Sequence, residues 1–200
     1  MTEAGILLLA FALGSIPVAN VISTRMRGID LRHEGTGTVS GTALYRVAGF
    51  RWLVVGGIFD VAKGAAAPLL AGTGRPTIAA LAGGLAIAGH NWSPFLRGHG
   101  GRGIGPALGA LAVNAWPGIP VLVGPWLIGR AMRQSGAGAF VGQALLIPVL
   151  ALVDGGSGAI FGAAVALPML VKRVTSNGAP AVRKTWRVYA HRLVFDCDAV

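Results

Sequence analysis

Residues 52 to 73 read Trp-Leu-Val-Val-Gly-Gly-Ile-Phe-Asp-Val-Ala-Lys-Gly-Ala-Ala-Ala-Pro-Leu-Leu-Ala-Gly-Thr, an unbroken apolar run with only Asp60 and Lys63 inside it. A helix of about 17 to 25 apolar residues crosses a hydrocarbon core of roughly 30 Å, so this stretch predicts a membrane-spanning helix that carries two opposite charges at depth. The whole chain has the same character. Its 200 residues are 54% hydrophobic and 12% charged, with 32 glycines, and the mean hydropathy is +0.66. Glycine lets helix backbones approach closely where lipid removes the hydrophobic drive between them. The composition predicts an all-α integral membrane protein and excludes an ordinary soluble core.

Apolar segments recur at about 4 to 24, 52 to 73, 77 to 96, 103 to 115, 117 to 132, 136 to 153 and 156 to 171, separated by Gly, Pro or charge. About seven spans are therefore predicted. The Ala115-Trp116-Pro117 junction leaves open one bent helix in place of two, and so six spans. The first segment has Glu3 in place of a basic leader and lacks a clean small-residue cleavage site, so it reads as a retained helix. Residues 1 to 171 form one polytopic domain in this reading, and 172 to 200 a basic tail.

The 17 basic residues set the orientation. Arg25, Arg27, Arg32, Arg46 and Arg51 lie between the first two segments, Arg97 and Arg102 between the third and fourth, and Arg130 and Arg133 between the fifth and sixth. Lys172, Arg173, Arg183, Lys184, Arg187 and Arg192 follow the seventh, whereas the other side carries only Arg75, with Glu3 and Asp154. The positive-inside rule puts the N-terminus outside and the C-terminus in the cytoplasm. It also accounts for the net charge of +10 by topology and anionic-lipid contact, with no nucleic-acid partner. The single Cys197 excludes a disulfide within one chain and a multi-cysteine metal site.

Four polar clusters interrupt this scaffold. Asp30-Leu-Arg32-His-Glu34 leads into Gly35-Thr36-Gly37-Thr38-Val-Ser40-Gly41-Thr42-Ala43-Leu-Tyr-Arg46, where converging backbone N–H groups, hydroxyls and one guanidinium suit a phosphate; a solvated turn-rich loop is the plainer reading. Asp60 and Lys63 share a helix face at i and i+3 and can form a structural ion pair, but ionisable groups at depth usually border a site. Gly89-His90 and Arg97-Gly-His99-Gly100-Gly101-Arg102-Gly103 open the fourth segment, where backbone donors and a helix N-terminus suit an anion; a flexible basic loop is the alternative. His191-Arg192 lies in the tail.

In order and spacing these clusters resemble the bacterial acyl-phosphate:glycerol-3-phosphate acyltransferase family, the PlsY type. Gly14-Ser15-Ile16-Pro17 and Gly35 to Arg46 are similar to its first motif, Asp60-x-x-Lys63-Gly64 to its second, Gly89-His90-x-x-x-Pro94-Phe95 with Gly100-Gly101-Arg102-Gly103 to its third, and His191-Arg192 to its C-terminal His-Arg-x-Asn. The resemblance covers essentially the whole chain. It implies a multi-pass protein of the bacterial inner membrane that transfers a fatty acyl group from acyl phosphate to the 1-hydroxyl of sn-glycerol 3-phosphate, giving lysophosphatidic acid and phosphate. No cofactor, metal, acyl-CoA or obligate protein partner is implied.

Carried over by position, Thr36, Arg46 and Arg102 would hold the donor phosphate, with Gly35, Gly37, Thr38, Gly100, Gly101 and Gly103 shaping the loops. Asp60, Lys63 and Gly64 would shape the acceptor side, and His90, His191 and Arg192 would orient polar partners. The proton would pass to the leaving phosphate, with His90 or His191 as the alternative base. Departures from the motifs are Thr36 for Ser, Thr38 and Ala43 for Asn, Ser40 for Gly, Arg102 for Lys, Gly105-Pro106 for Ala-Thr and Val194 for Asn; a paralogue with another acceptor or without turnover would look the same. His191 to Asp196 also fits the His-x4-Asp dyad of acyl-CoA-dependent acyltransferases, but that family needs further motifs downstream, where few residues remain. A small anion transporter is the non-enzymatic alternative. It would be expected to show internal repeats, whereas the two halves of this chain look unlike.

Overall fold

The computed structural model describes residues 1–72, 74–178 and 186–198, and among these there are helices and no strands. The first apolar segment forms α1 (Glu3–Ser15) and α2 (Val18–Arg27). Pro17 separates them, because it has no N–H to donate and forces the preceding Ile16 into an extended conformation. After a 3-10 turn at Leu31–His33 come α3 (Gly41–Ala48), α4 (Phe50–Leu69) and α5 (Pro76–Asn91). A second 3-10 turn, Pro94–Leu96, leads to α6 (Ile104–Asn114), α7 (Gly118–Ala131), α8 (Ser135–Thr175) and α9 (Trp186–Phe195).

Glu3–Arg27, Phe50–Leu69 and Ser135–Thr175 are long and apolar enough to cross a membrane; Ile104–Asn114 and Gly118–Ala131 are apolar but shorter. The 41-residue α8 is two helical arms, broken at Asp154 and Gly155. The second arm folds back on the first: a Cβ on Gly158 would meet Leu150 O, and one on Gly162 would meet Leu146 O. These arms coincide with the predicted segments 136 to 153 and 156 to 171.

The same glycine-to-carbonyl contact packs two further helix pairs, which run parallel. Gly64 lies on Pro106 O and Gly109 on Val61 O, which brings α4 and α6 into backbone contact. Gly14 on Ala86 O and Gly89 on Phe11 O do so for α1 and α5. Without a side chain the helices approach until backbones touch, which gains dispersion contact where lipid offers no hydrophobic drive. α6 and α7 are separate helices, with Ala115 and Trp116 outside both. Leu8, Ile58, Ile128 and Leu152 are exposed on the outer faces, as expected of helices surrounded by lipid.

The first residues of the basic tail expected after residue 171 are built into the helical bundle. α8 continues to Thr175, and Lys172 and Arg173 in its last turn are buried. Arg173 donates to Leu193 O (2.5 Å), Val194 O (2.7 Å) and Gly136 O (2.7 Å). It thereby ties α9, whose last carbonyls have no partner within the helix, to both arms of α8. Arg183 and Lys184 fall outside the described residues.

Candidate active site at the meeting of two glycine loops

The break at Pro17 prepares the site. It takes the carbonyls of Ser15 and Ile16 out of the regular helix ladder inside an apolar segment, where an unmet acceptor is costly, although Ile16 O still accepts from Val18 N–H (3.1 Å). Ser93 Oγ donates to Ser15 O (2.6 Å), and Lys63 Nζ donates to Ile16 O (3.1 Å). Lys63 Nζ also lies 2.9 Å from Asp60 Oδ1 and 2.9 Å from His90 Nδ1. All three ammonium hydrogens thus have acceptors. An ammonium can only donate, so this contact assigns the His90 proton to Nε2 and leaves Nδ1 as the acceptor.

Asp60 and Lys63 therefore form the ion pair that their spacing allowed, with His90 as a third member whose Nδ1 is 3.5 Å from Asp60 Oδ1. Opposite charges buried in contact satisfy each other, whereas removal of one would strand its partner. Asp60 and His90 border a small cleft, with Ser15, Pro17, Val39, Ser93, Gly100 and Gly101 among its other walls. The ring of His90 lies against Gly101: a Cβ there would be 2.1 Å from Nε2.

The two glycine loops meet beside this ring. In the first, residues 35 to 39 are loop, Ser40 caps α3 by accepting from Ala43 N–H (3.3 Å), and the remainder is helix. Val39 N–H donates to Gly100 O (3.1 Å), and Gly101 N–H to His90 O (3.2 Å). Leu31, Val39, Leu44 and Leu96 pack beneath the loops as one apolar cluster. Asn177, which was not singled out in the sequence, joins the same place. Its Nδ2 donates to Gly37 O (3.1 Å) and Gly100 O (3.0 Å), and its Oδ1 accepts from Gly100 N–H (3.1 Å). No motif marks Asn177; its signal is only a Ser-Asn-Gly turn after a long helix.

The other sequence-derived candidates are dispersed. Gly35 is exposed, and Thr36 is exposed with its Oγ1 donating to Thr38 Oγ1 (3.0 Å). Arg46 is exposed in the last turn of α3. Arg102 is bound into the tail: its Nε donates to Asp196 Oδ2 (3.0 Å), its NH1 to Lys172 O (3.0 Å), and its NH2 lies 2.9 Å from Asp196 Oδ1. Gly64 and Gly103 stand where helix packing requires a small residue, against Pro106 O and Ile87 respectively. His191 Nδ1 faces Cys197 O at 3.0 Å and its ring stacks on Phe195, while Arg192 pairs with Asp198. Asp196 and His191 thus have separate partners, and the His-x4-Asp arrangement is not assembled.

Outside the helices, Arg32 donates to both carboxylate oxygens of Asp30, at 3.1 and 3.0 Å from Nε. These bonds hold the Asp30 carboxyl down to about 2. Among the described residues no group of three or more His, Cys, Asp or Glu side chains is placed to hold a metal ion.

Comparison with known proteins gives this arrangement its context. Residues 4–180 match the family described as Glycerol-3-phosphate acyltransferase. Glycerol-3-phosphate acyltransferase 5 of Dehalococcoides mccartyi is 38% identical over 138 residues, which is 68% of this chain and 59% of that protein. The glycerol-3-phosphate acyltransferase of Desulforudis audaxviator is 32% identical over 148 residues, 74% of this chain and 75% of that one. The chain thus spans about three fifths of the first relative and three quarters of the second. Among solved structures, the glycerol 3-phosphate form of PlsY, an integral membrane glycerol 3-phosphate acyltransferase, shares the fold with a TM-score of 0.76 over 86% of this chain and 88% of that chain, at 22% identity. With the match running from residue 4 to residue 180 and taking in both glycine loops, this chain belongs to the glycerol-3-phosphate acyltransferase family.

Proposed function

We propose that the protein transfers a fatty acyl group from acyl phosphate to the 1-hydroxyl of sn-glycerol 3-phosphate, giving lysophosphatidic acid and inorganic phosphate. The single observation that carries the reading is the convergence of the two glycine loops on the cleft bordered by His90 and Asp60, in a chain of this family. The hydroxyl oxygen forms a bond to the acyl carbon, the bond from that carbon to the phosphate oxygen breaks, and the hydroxyl proton leaves with the phosphate. An acyl phosphate is already activated, so positioning and charge stabilisation suffice.

In this proposal Thr36, Thr38, Arg46 and the backbone N–H groups around Gly35 and Gly37 receive the donor phosphate. Arg102 joins them only by exchanging Asp196 for substrate. His90 acts as a donor through Nε2, not as the base, because Lys63 occupies its other nitrogen. Asp60, Lys63 and Gly64 fix that ring and the floor of the acceptor side, and His191 and Arg192 hold the tail. The glycine loops face the cytoplasm across the bacterial inner membrane. Seven crossings, formed by α1 with α2, by α4 to α7 and by the two arms of α8, are supported by the parallel contact of α4 with α6, by the antiparallel contact of the two α8 arms and by the one-sided distribution of Arg and Lys.

The test is direct. Purified protein in lipid, supplied with acyl phosphate and glycerol 3-phosphate, is expected to yield lysophosphatidic acid and phosphate in equal amounts; absence of the lipid product with both substrates present overturns the assignment.

A further inference from the structure

The end of the bundle remote from the glycine loops holds a cavity of about 330 Å³ that acyl transfer does not use. α5 starts beside it at Pro76, α6 ends in it at Asn114, and the second arm of α8 leaves it at Ser157. The opposite ends of these three helices meet at the glycine loops, through Asn91, Gly103 and Lys172. Along the 11 residues of α6 the separation is about 16 Å. The volume falls at the lower end of pockets that hold small ligands, roughly 300 to 1,000 Å³.

Two breaks in the helical ladder open this cavity. α6 stops at Asn114 and α7 begins only at Gly118, so Ala115, Trp116 and Pro117 form a corner. Opposite, α8 reverses at Asp154 and Gly155, the latter at φ +55°. Glycine is what that backbone needs, since a side chain disfavours it, but the reversal requires no acid beside it. Leu150, Val153 and Phe161 supply apolar walls.

Asp154, Asn114 and Ser157 also line the cavity, and none of their side chains makes a hydrogen bond or ion pair to another described residue. They present a carboxylate, an amide oxygen and a hydroxyl oxygen, three acceptors for the three N–H groups of a primary ammonium. Trp116 is 71% exposed and adds a ring face that attracts a cation. No Lys, Arg or His is among the lining residues. Arg75, exposed and directly before Pro76 at the same end of the bundle, is available to a phosphate.

The rim indicates a lipid as the source of that ammonium. Val113, Leu152 and Val153 are exposed beside Asn114 and Asp154, on helices that lipid surrounds, and tryptophan favours the level of lipid headgroups. We propose that this cavity binds the headgroup of a phospholipid bearing a primary ammonium. Asp154, Asn114 and Ser157 accept from the ammonium, the Trp116 ring faces it, and the acyl chains lie along the apolar outer faces of α6 and α8. The site is independent of the acyl-transfer reading, since no residue of the glycine loops takes part.

The experiment titrates full-length wild type, Asp154→Asn and Trp116→Leu in detergent with phosphatidylethanolamine, phosphatidylcholine or phosphatidylglycerol of matched chains, and separately with free phosphoethanolamine. Native mass spectrometry counts the bound molecules. Wild type is expected to bind one phosphatidylethanolamine at least roughly tenfold more tightly than phosphatidylcholine, whose ammonium has no N–H to donate, or phosphatidylglycerol, which has no cation. Asp154→Asn should bring the three lipids within about twofold of one another. Trp116→Leu should weaken phosphatidylethanolamine by about two- to fivefold. Free phosphoethanolamine should bind at least roughly tenfold more weakly than the lipid, because it buries no acyl chain.

Equal binding of the three lipids by wild type, a preference for phosphatidylethanolamine that survives Asp154→Asn, or free phosphoethanolamine that binds as tightly as the lipid overturns the proposal. Asp154 is exposed, so its variant should unfold in lipid-free detergent within about 2 °C of wild type. If it does not fold, the wild-type preference and the Trp116→Leu variant carry the test. A wild type that does not distinguish phosphatidylethanolamine from phosphatidylcholine, or a Trp116→Leu protein that binds phosphatidylethanolamine as wild type does, then overturns it.

Discussion

The two glycine loops look alike in sequence and are opposites in structure. The first combines closely spaced glycines with Arg46, the second with Arg97 and Arg102, and it is Arg46 and Arg102 that differ most. The first delivers Arg46 to an exposed helical turn, whereas the second surrenders Arg102 to the Asp196 carboxylate and the Lys172 carbonyl. A cation beside a glycine loop is thus available to an anionic ligand only where the fold has not already supplied one. Asp196, on the turn after α9, is that internal anion.

The junction between the loops is where the largest effect is expected. Gly101→Ala would drive a methyl group into the His90 ring and toward Val39 O, which lies 2.9 Å from the Cβ position. Acyl transfer should fall on the order of a hundredfold, measured against Gly98→Ala. At Gly98 a Cβ would meet nothing within 4 Å, and its φ of +83° costs about 1 to 2 kcal/mol of stability. Equal activities for the two variants would break the idea that the loops act through His90.

The arginines should separate by the kind of damage. Arg46→Ala is expected to lower activity by at least roughly tenfold while its unfolding free energy stays within about 0.5 kcal/mol of wild type, since an exposed side chain contributes little to the fold. Arg102→Ala should instead lower stability by about 1 to 3 kcal/mol, because it leaves the Asp196 carboxylate without its donor. Arg102→Lys should recover part of that loss, as it returns charge without the fork that reaches both oxygens. Thermal unfolding together with an acyl-transfer assay resolves both; an Arg46 variant that unfolds early, or an Arg102 variant as stable as wild type, would erase the contrast.

The smallest effect concerns the entry to the first loop. The Asp30 carboxyl sits at about 2, below its ordinary 3.8, because Arg32 hydrogen-bonds its charged form. Its folded-state value is depressed, so the stabilisation is complete above pH ~4 and disappears as pH falls toward ~2. Asp30→Asn should therefore flatten stability across that window and leave neutral-pH stability within about 1 kcal/mol, as expected of a partly exposed pair. Acid titrations of the two proteins that superimpose from pH 4 to 2 would show that the pair contributes nothing.

Much of the helical plan was legible in residue type. Apolar runs bounded by Gly and Pro place α4, α5, α6, α7 and the two arms of α8 close to the predicted segments, because burial in lipid demands long apolar stretches whatever the packing. The site was legible only as a set of motifs. Asp60 and Lys63 were recognisable as partners from their spacing, but their bond to His90 was not, since it depends on α4 meeting α5. The stretch up to Arg46 read as loop, although Ser40 is a good cap and the following residues form α3. Arg173, in what read as a basic tail, is buried and binds three carbonyls.

By itself, then, the sequence determined where helices must run, which glycines could bring them together, and which family the motifs resemble. These follow from local chemistry: hydropathy, chain stiffness and the positions of Pro and Gly. Tertiary structure alone decided which charges remain free. Pro17 breaks α1 from α2, yet only the approach of α4 gives the Ile16 carbonyl the Lys63 ammonium. Arg102 and Asp196 are separated by most of the C-terminal half of the chain, and Asn177 reaches back to Gly37. A charge or an amide takes whichever partner lies within about 3 Å, and at such sequence distances only the packed fold chooses it.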